Sequence, residues 1–241
     1  MQDIFLSVII PARNEEKRIG QTLEIVASYL NKQGYLYEVI ICEDGSTDNT
    51  LKIVESKRKL FKSLIIISNK TAQGKGAGVK KGMLKARGKY RMFMDADNAT
   101  PFEQVEKLLK TVKEGYDIVI ASRYISGARL VPPRGILRTF ISRGGNIIIN
   151  KFLKLPYKDT RCGFKLFTAE AAEKIFPKVL LPGFGFDDEV LVLAQKFGLK
   201  VKEVPVEWHE KKESKVSFKD ILKSFLEMWE IKKNWKEGKY D

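Results

Sequence analysis

The sequence is short of nucleophiles and of nitrogen ligands. Among 241 residues there are two cysteines, Cys42 and Cys162, and one histidine, His209. Two distant cysteines make neither a Cys-x-x-Cys metal clamp nor a disulfide framework, and a reducing compartment is the simplest setting for them. A single histidine argues against a zinc site and against Ser-His catalysis. Long apolar runs are missing as well. No stretch reaches the roughly 18 apolar residues that a membrane-spanning helix requires. The start, Met1-Gln2-Asp3, passes directly into the apolar run Ile4–Ile10, without the basic start and small-residue cleavage site of a signal peptide. The expectation is a cytoplasmic chain whose chemistry comes from carboxylates, arginine, lysine and backbone groups.

Acidic residues are scarce in one segment. The net charge is +14, and residues 121–165 carry ten Lys or Arg against one acid, Asp159. Charge gathered in this way predicts a local surface facing an anion: phosphate, nucleic acid or anionic lipid. A nucleic-acid binder is the weaker reading. The segment lacks interleaved aromatics, no zinc or helix-turn-helix signature is present, and two acids, Asp95 and Asp97, would go unexplained.

What the sequence does contain is a βα rhythm over its first 121 residues. Apolar runs predict strands at Leu6–Ile10, Glu38–Cys42, Leu64–Ser68, Tyr90–Met94 and Asp117–Ala121. Helical spacing predicts helices over Glu15–Leu30, Asp48–Leu60, Gly76–Ala86 and Phe102–Val112. Ser46, Thr47 or Asp48 is expected to cap the second helix. Thr100 is expected to cap the fourth, with Pro101 at its first position. The class is α/β: one domain over 1–241, with a mostly parallel sheet and helices on both faces. The rhythm breaks over 126–158, a basic, glycine-punctuated stretch that reads as one or two amphipathic helices. A strand at Gly163–Phe167, a helix from Ala169, a polar turn Gly183–Glu189 opening another helix, and a strand at Val201–Val206 follow. The C-terminal helix, 218–237, carries Phe218, Ile221, Leu222, Phe225, Leu226 and Trp229 on one stripe, expected to pack on the core.

Ligands of such sheets bind beyond the carboxyl ends of the strands. Each predicted strand of the first half is followed there by a polar motif: Pro11–Glu15, Glu43–Asp48, Asn69–Gly78, Asp95-Ala96-Asp97 and Ser122-Arg123-Tyr124. Two carboxylates one residue apart at a strand end can converge on a hard cation such as Mg²⁺ or Mn²⁺. Alone, Asp-x-Asp is equally a solvated turn; its place after the fourth strand favours the cation. Asp44 before Gly45 suits hydrogen bonds to a base or ribose, and equally a capped helix start. Gly74-Lys75-Gly76-Ala77-Gly78 suits an anion at a helix start, or a plain glycine turn; it is not a Walker loop.

Taken in order, Pro11-x-x-Asn14-Glu15, Glu43–Asp48, Gly74-Lys-Gly76, Asp95-Ala-Asp97, Ser122-Arg-Tyr124, Asp159–Phe164 and Phe186-Asp-Asp-Glu189 resemble the family 2 glycosyltransferases of GT-A (Rossmann-like) fold. Within them they resemble the inverting dolichyl- and polyprenyl-phosphate hexosyltransferases, the glucosyl branch in particular. The resemblance spans about residues 4 to 217. It implies that Pro11, Asn14, Glu15, Asp44, Gly76, Asp95 and Ala96 line the donor site and that Asp95 and Asp97 hold Mg²⁺ or Mn²⁺. It further implies that Arg123, Arg138 and Ser142 grip the acceptor phosphate, and that Asp187, Asp188 and Glu189 sit near the sugar. Ala99 stands where mannosyl enzymes commonly have a glutamine, which favours UDP-glucose over GDP-mannose as donor.

The chemistry agrees. A lipid monophosphate is already a charged nucleophile and needs no strong base. It needs positioning and a cationic seat, for which arginine's fork is suited. Asp97 and Arg123 are the candidate catalytic groups; Asp188 joins them as base only if the acceptor is a neutral hydroxyl, as in a polysaccharide. Lys211, Lys212 and Lys215 could extend the phosphate seat. The 126–158 stretch is expected to lie on the cytoplasmic face of a membrane, apolar residues in lipid and basic ones at headgroups, with an ordinary packed helix pair as the alternative. The C-terminal helix leaves membrane contact or a homodimer open beside core packing.

Overall fold

The computed structural model describes residues 3–132, 136–210 and 218–241, with side chains over 136–143 and 218–225 outside the description. Its frame is a seven-stranded sheet. The strands are β1 (Leu6–Ala12), β2 (Tyr37–Asp44), β3 (Leu64–Asn69), β4 (Tyr90–Met94), β5 (Ile118–Ser122), β7 (Phe164–Thr168) and β8 (Val201–Pro205), in the order β3-β2-β1-β4-β7-β5-β8. β2 is buried along its whole length and β1 nearly so, because helices cover both faces; the continuous apolar runs LSVII and EVIIC are what a two-sided burial demands. Val8 and Ile10 point to the layer of α1 (Ile19–Leu30) and α4 (Val105–Val112). Ile9 points to the opposite layer, of α3 (Lys75–Lys85), α6 (Ala169–Ile175) and α7 (Phe186–Lys196). The mostly parallel α/β sheet predicted by the rhythm is therefore present.

β7 is the exception to the parallel rule: it runs antiparallel to both β4 and β5. Its first residues, not its last, therefore reach the carboxyl edge of the parallel strands. This brings the loop 159–163 to the same edge as the ends of β4 and β5.

Several element boundaries differ from the sequence expectation. α1 begins at Ile19 rather than Glu15, because the backbone N–H groups of Asn14, Glu15 and Glu16 donate to Ser46 Oγ, Thr50 Oγ1 and Asp48 Oδ2 instead of starting a helix. α2 (Thr50–Ser56) is shorter than predicted; Asp48 does accept from Thr50 N, at 2.9 Å. Pro101 has ψ 134°, so it precedes the helix rather than opening it, and a 3-10 turn over Phe102–Gln104 leads into α4. No side chain caps that end; the Thr100 hydroxyl faces Cys162 Sγ at 3.8 Å.

The basic stretch holds a short strand, β6 (Arg129–Val131), and one helix, α5 (Ile136–Leu153). β6 pairs in parallel with β9 (Glu207–His209). Ile149 and Leu153 of α5 are buried with Asn146 and Asn150, while Ile147 and Ile148 are more than half exposed. In α8 (Phe218–Lys236) the predicted apolar stripe does not face inward where it is described. Leu226 and Trp229 are 64% and 62% exposed, and Glu227, Met228, Ile231 and Asn234 are buried instead. The reason lies in the residues that meet the helix: Glu227 Oε2 accepts from Gly185 N at 2.6 Å, which turns that face to the 183–185 loop. Among the described residues, no helix is long and apolar enough to cross a membrane.

Candidate active site

The first two strand-end loops are stitched together. Thr47 N donates to Asn14 Oδ1 at 2.8 Å, and Asn49 N to Glu16 Oε2 at 3.0 Å. Glu15 holds Arg18 through Nε and Nη2, at 2.7 and 2.9 Å. Asp44 accepts from Gln73 N, Gly74 N and Asn69 Nδ2, at 2.8, 2.8 and 2.9 Å. Burial works against its charge, yet these bonds, from Gln73 N first, outweigh burial and hold the carboxyl below its ordinary value. Asp44 thus organises the glycine loop. Gly76 is buried, and a Cβ there would lie 2.8 Å from Phe186 Cβ; its immediate neighbours are the 181–183 backbone and α7. Pro11 is half-buried at the end of β1, and Ala96 is buried with its carbonyl accepting from Thr22 Oγ1.

Beyond β4 lies the carboxylate pair. Asp95 and Asp97 line a cavity of about 70 Å³ with Ala99, Thr100, Arg123, Arg161, Gly163, Phe164 and Trp208. That is room for several water-sized groups. Asp95 N donates to Gly163 O at 3.0 Å, and Lys75 Nζ stands 2.7 Å from Asp95 Oδ1. Asp97 Oδ1 accepts from Ala99 N at 3.0 Å, and Arg18 Nη1 lies 3.8 Å from its Oδ2. Burial, then the neighbouring Asp95 charge, push the Asp97 carboxyl above its usual value. Two hard oxygen donors in a tight, partly shielded cavity, where the Asp95 charge adds to the cost of the Asp97 carboxylate, fit a divalent cation. Among the described residues no third His, Cys, Asp or Glu joins them.

Lys75 is the residue that sequence reasoning underused. Burial alone would lower its ammonium, but Asp95, then Asp187 and Asp97, raise it above its ordinary value. Its signal was the Gly-Lys-Gly motif, which sets its ammonium beside the carboxylate pair. Gly163 is equally specific. A Cβ at Gly163 would overlap both Asp95 carboxylate oxygens. We expect Gly163→Ala to weaken Mn²⁺ binding by about tenfold or more, read by titration calorimetry, without removing any ligand.

Arg123 stands at the end of β5, braced by Asp159. Its N, Nε and Nη2 donate to the two Asp159 oxygens at 2.9, 2.7 and 2.9 Å. Asp159 is fully buried, and Asn146 Nδ2 of α5 also reaches it at 3.3 Å. The guanidinium lies 5.6 Å from the Trp208 ring centroid and 5.3 Å from that of Tyr124. Arg138 and Ser142 belong to α5 but to its residues without described side chains, and Lys211, Lys212 and Lys215 fall outside the described residues.

The three acids that open α7 do not share one task. Asp187 pairs with the fully buried Lys165, and burial pushes its carboxyl up. Asp188 accepts from Thr160 Oγ1 at 2.6 Å and from Arg161 Nε and Nη2 at 3.1 and 2.8 Å. Glu189 takes the N–H groups of Leu180 and Leu181 and the hydroxyl of Tyr240. None of the three lines the cavity. The carboxylates of Asp188 and Glu189 both take internal donors, and α7 is buried along its first turns.

A family model, Glycosyl transferase family 2, matches residues 7–176. The chain is a family 2 glycosyltransferase. This glycosyltransferase is 39% identical to the dolichyl-phosphate beta-glucosyltransferase of Saccharomyces cerevisiae, over 90% of this chain and 70% of that protein. It is 37% identical to the enzyme of the same name from Dictyostelium discoideum, over 96% of this chain and 78% of that protein, and 34% identical to the human one, over 88% and 69%. Solved structures share its GT-A fold. The mannosyl-3-phosphoglycerate synthase of Rubrobacter xylanophilus superposes with a TM-score of 0.72 at 16% identity, over 98% of this chain and 75% of that one. The glucosyl-3-phosphoglycerate synthase of Mycobacterium tuberculosis, solved with Mn²⁺, UDP and glucosyl-3-phosphoglycerate, does so with a TM-score of 0.66 at 18% identity, over 93% and 80%.

Proposed function

We propose that this glycosyltransferase moves glucose from a nucleotide sugar, UDP-glucose, to a polyprenyl or dolichyl phosphate, inverting the sugar carbon. The observation that carries the reading is one cavity lined by two exposed-edge carboxylates and by a braced arginine. The relatives named for glucose transfer to dolichyl phosphate support the substrates. Asp95 and Asp97 would hold Mg²⁺ or Mn²⁺, which when bound supplies charge neutralisation for the departing diphosphate. Lys75 adds a cation on the same side. Pro11, Asn14, Glu15, Asp44 and Ala96 would frame the donor, with Gly76 seating α3 beneath it. Arg123, fixed by Asp159, would orient the acceptor phosphate for in-line attack. No residue need take a proton, since the acceptor oxygen is already anionic.

The test is transfer itself. Incubated with polyprenyl phosphate, Mg²⁺ or Mn²⁺, and separately UDP-glucose, GDP-mannose and UDP-N-acetylglucosamine, the protein is expected to form a glucosylated lipid, and to stop when the cation is chelated. No product from any donor overturns the reading.

The acceptor also calls for a lipid surface. Ile147, Ile148, Leu226 and Trp229 are exposed on α5 and α8, which meet where Phe152 and Trp229 pack at 4.7 Å. Beside the positive 121–165 segment, they suit peripheral contact with an anionic leaflet. Co-sedimentation with anionic liposomes is expected to fall by about fivefold or more for Ile147→Asn combined with Trp229→Asn. Unchanged sedimentation, with the same pair of substitutions dissolving a homodimer instead, would assign the face to self-association.

A further inference from the structure

We propose that Arg161 is a second arginine for the acceptor's phosphate, acting beside Arg123; this rests on the reading of the protein as a transferase to a lipid monophosphate. Both arginines line the cavity that contains Asp95 and Asp97. Both are held in the same manner. Arg123 gives Nε and Nη2 to Asp159, and Arg161 gives Nε and Nη2 to Asp188 Oδ2. The two carboxylates are buried, at 0% and 1% exposure, so each guanidinium is oriented from behind. A guanidinium held by one edge keeps its other N–H groups, those of Nη1 included, for a ligand in front.

Strand order indicates which phosphate this is. Along the carboxyl edge the sequence of strands is β2, β1, β4, β7, β5. The loops after β2 and β1 frame the donor; Asp95 and Asp97 follow β4. Arg161 precedes β7 and Arg123 follows β5, so both lie on the far side of the carboxylates from the donor loops. A phosphate approaching from that side meets the two acids unless it is held by more than one cation. Because Asp159 and Asp188 already balance the arginines' charges, the hold depends on directed hydrogen bonds rather than on net charge. Planar geometry then matters: a lysine at 161, still paired with Asp188, offers a point charge in place of the fork's second, directed edge. Asp188 becomes a positioning residue, acting through Arg161.

The experiment uses the full chain with Mn²⁺ and UDP, and farnesyl phosphate as the probe, followed by calorimetry. Arg161→Lys and the charge-neutral pair Arg161→Gln with Asp188→Asn are compared with the parent; the pair avoids leaving a buried carboxylate without its partner. The dissociation constant for farnesyl phosphate is expected to rise about tenfold or more in both, with that for UDP moving by less than about twofold. Farnesyl phosphate bound as tightly by Arg161→Lys as by the parent overturns the proposal. Equal losses for UDP and farnesyl phosphate overturn it too, because Arg161 would then serve the donor diphosphate. If the parent transfers glucose to polyprenyl phosphate but the variants bind the probe normally, only the role of Arg161 fails. If the parent binds no farnesyl phosphate at all, the acceptor reading falls and this proposal with it.

Discussion

Replacing Asp97 with asparagine is expected to lower kcat by about a thousandfold or more while leaving the melting temperature in cation-free buffer unchanged or higher. The two effects have one cause. Asp97 shares a small cavity with Asp95, and without a cation burial and the Asp95 charge both count against the Asp97 carboxylate. Asparagine keeps the oxygen that accepts from Ala99 N and removes the repulsion. It also removes one of the two anionic donors of the proposed cation site. Calorimetric titration with Mn²⁺ and a thermal melt in chelator check the two halves. Retained transfer would refute the cation role, and a large fall in melting temperature would show that Asp97 is chiefly structural.

Asp159→Asn has the largest expected effect on stability, a loss of about 3–5 kcal/mol at neutral pH. It leaves the Arg123 guanidinium, 12% exposed, without its partner carboxylate. Burial opposes the Asp159 charge, but Arg123 outweighs it, through charge and through hydrogen bonds, and the carboxyl is held below its ordinary value. A carboxyl lowered on folding adds stability above its unfolded value, and that gain is lost as pH falls through the folded value. The gap between parent and variant should therefore be full at pH 7 and narrow below about pH 4. Urea unfolding at several pH values measures it. A gap that is constant with pH would mean that packing rather than charge accounts for the loss. Transfer should fall as well, since Arg123 loses its orientation.

Element types in the first half were legible from hydrophobic runs, because strands buried on both faces leave no other pattern: Tyr90–Met94 is found where it was predicted. The edges were less so. The helix expected from Glu15 starts later, because Ser46, Thr50 and Asp48, 32 to 35 positions away, take the N–H groups of Asn14, Glu15 and Glu16. Side-chain assignments at the site divided in the same way. Arg123 and the Asp95–Asp97 pair meet in one cavity, as their strand-end positions implied. The hydrogen-bond donors that Asp188 and Glu189 take, from Thr160, Arg161, Leu180 and Tyr240, were not legible, because local pattern does not connect those residues to them.

By itself the sequence determined the α/β class and the strand edge that carries the carboxylate pair, since hydrophobic period and strand-end position are local properties. Only the tertiary structure decided which charges face the cavity and which are held behind it. That division follows from the antiparallel β7, whose direction is set by pairing with β4 and β5 rather than by its own residues. The reversal carries Arg161 and Gly163 to the carboxylates and places Asp188 and Asp159 beneath the arginines as their braces.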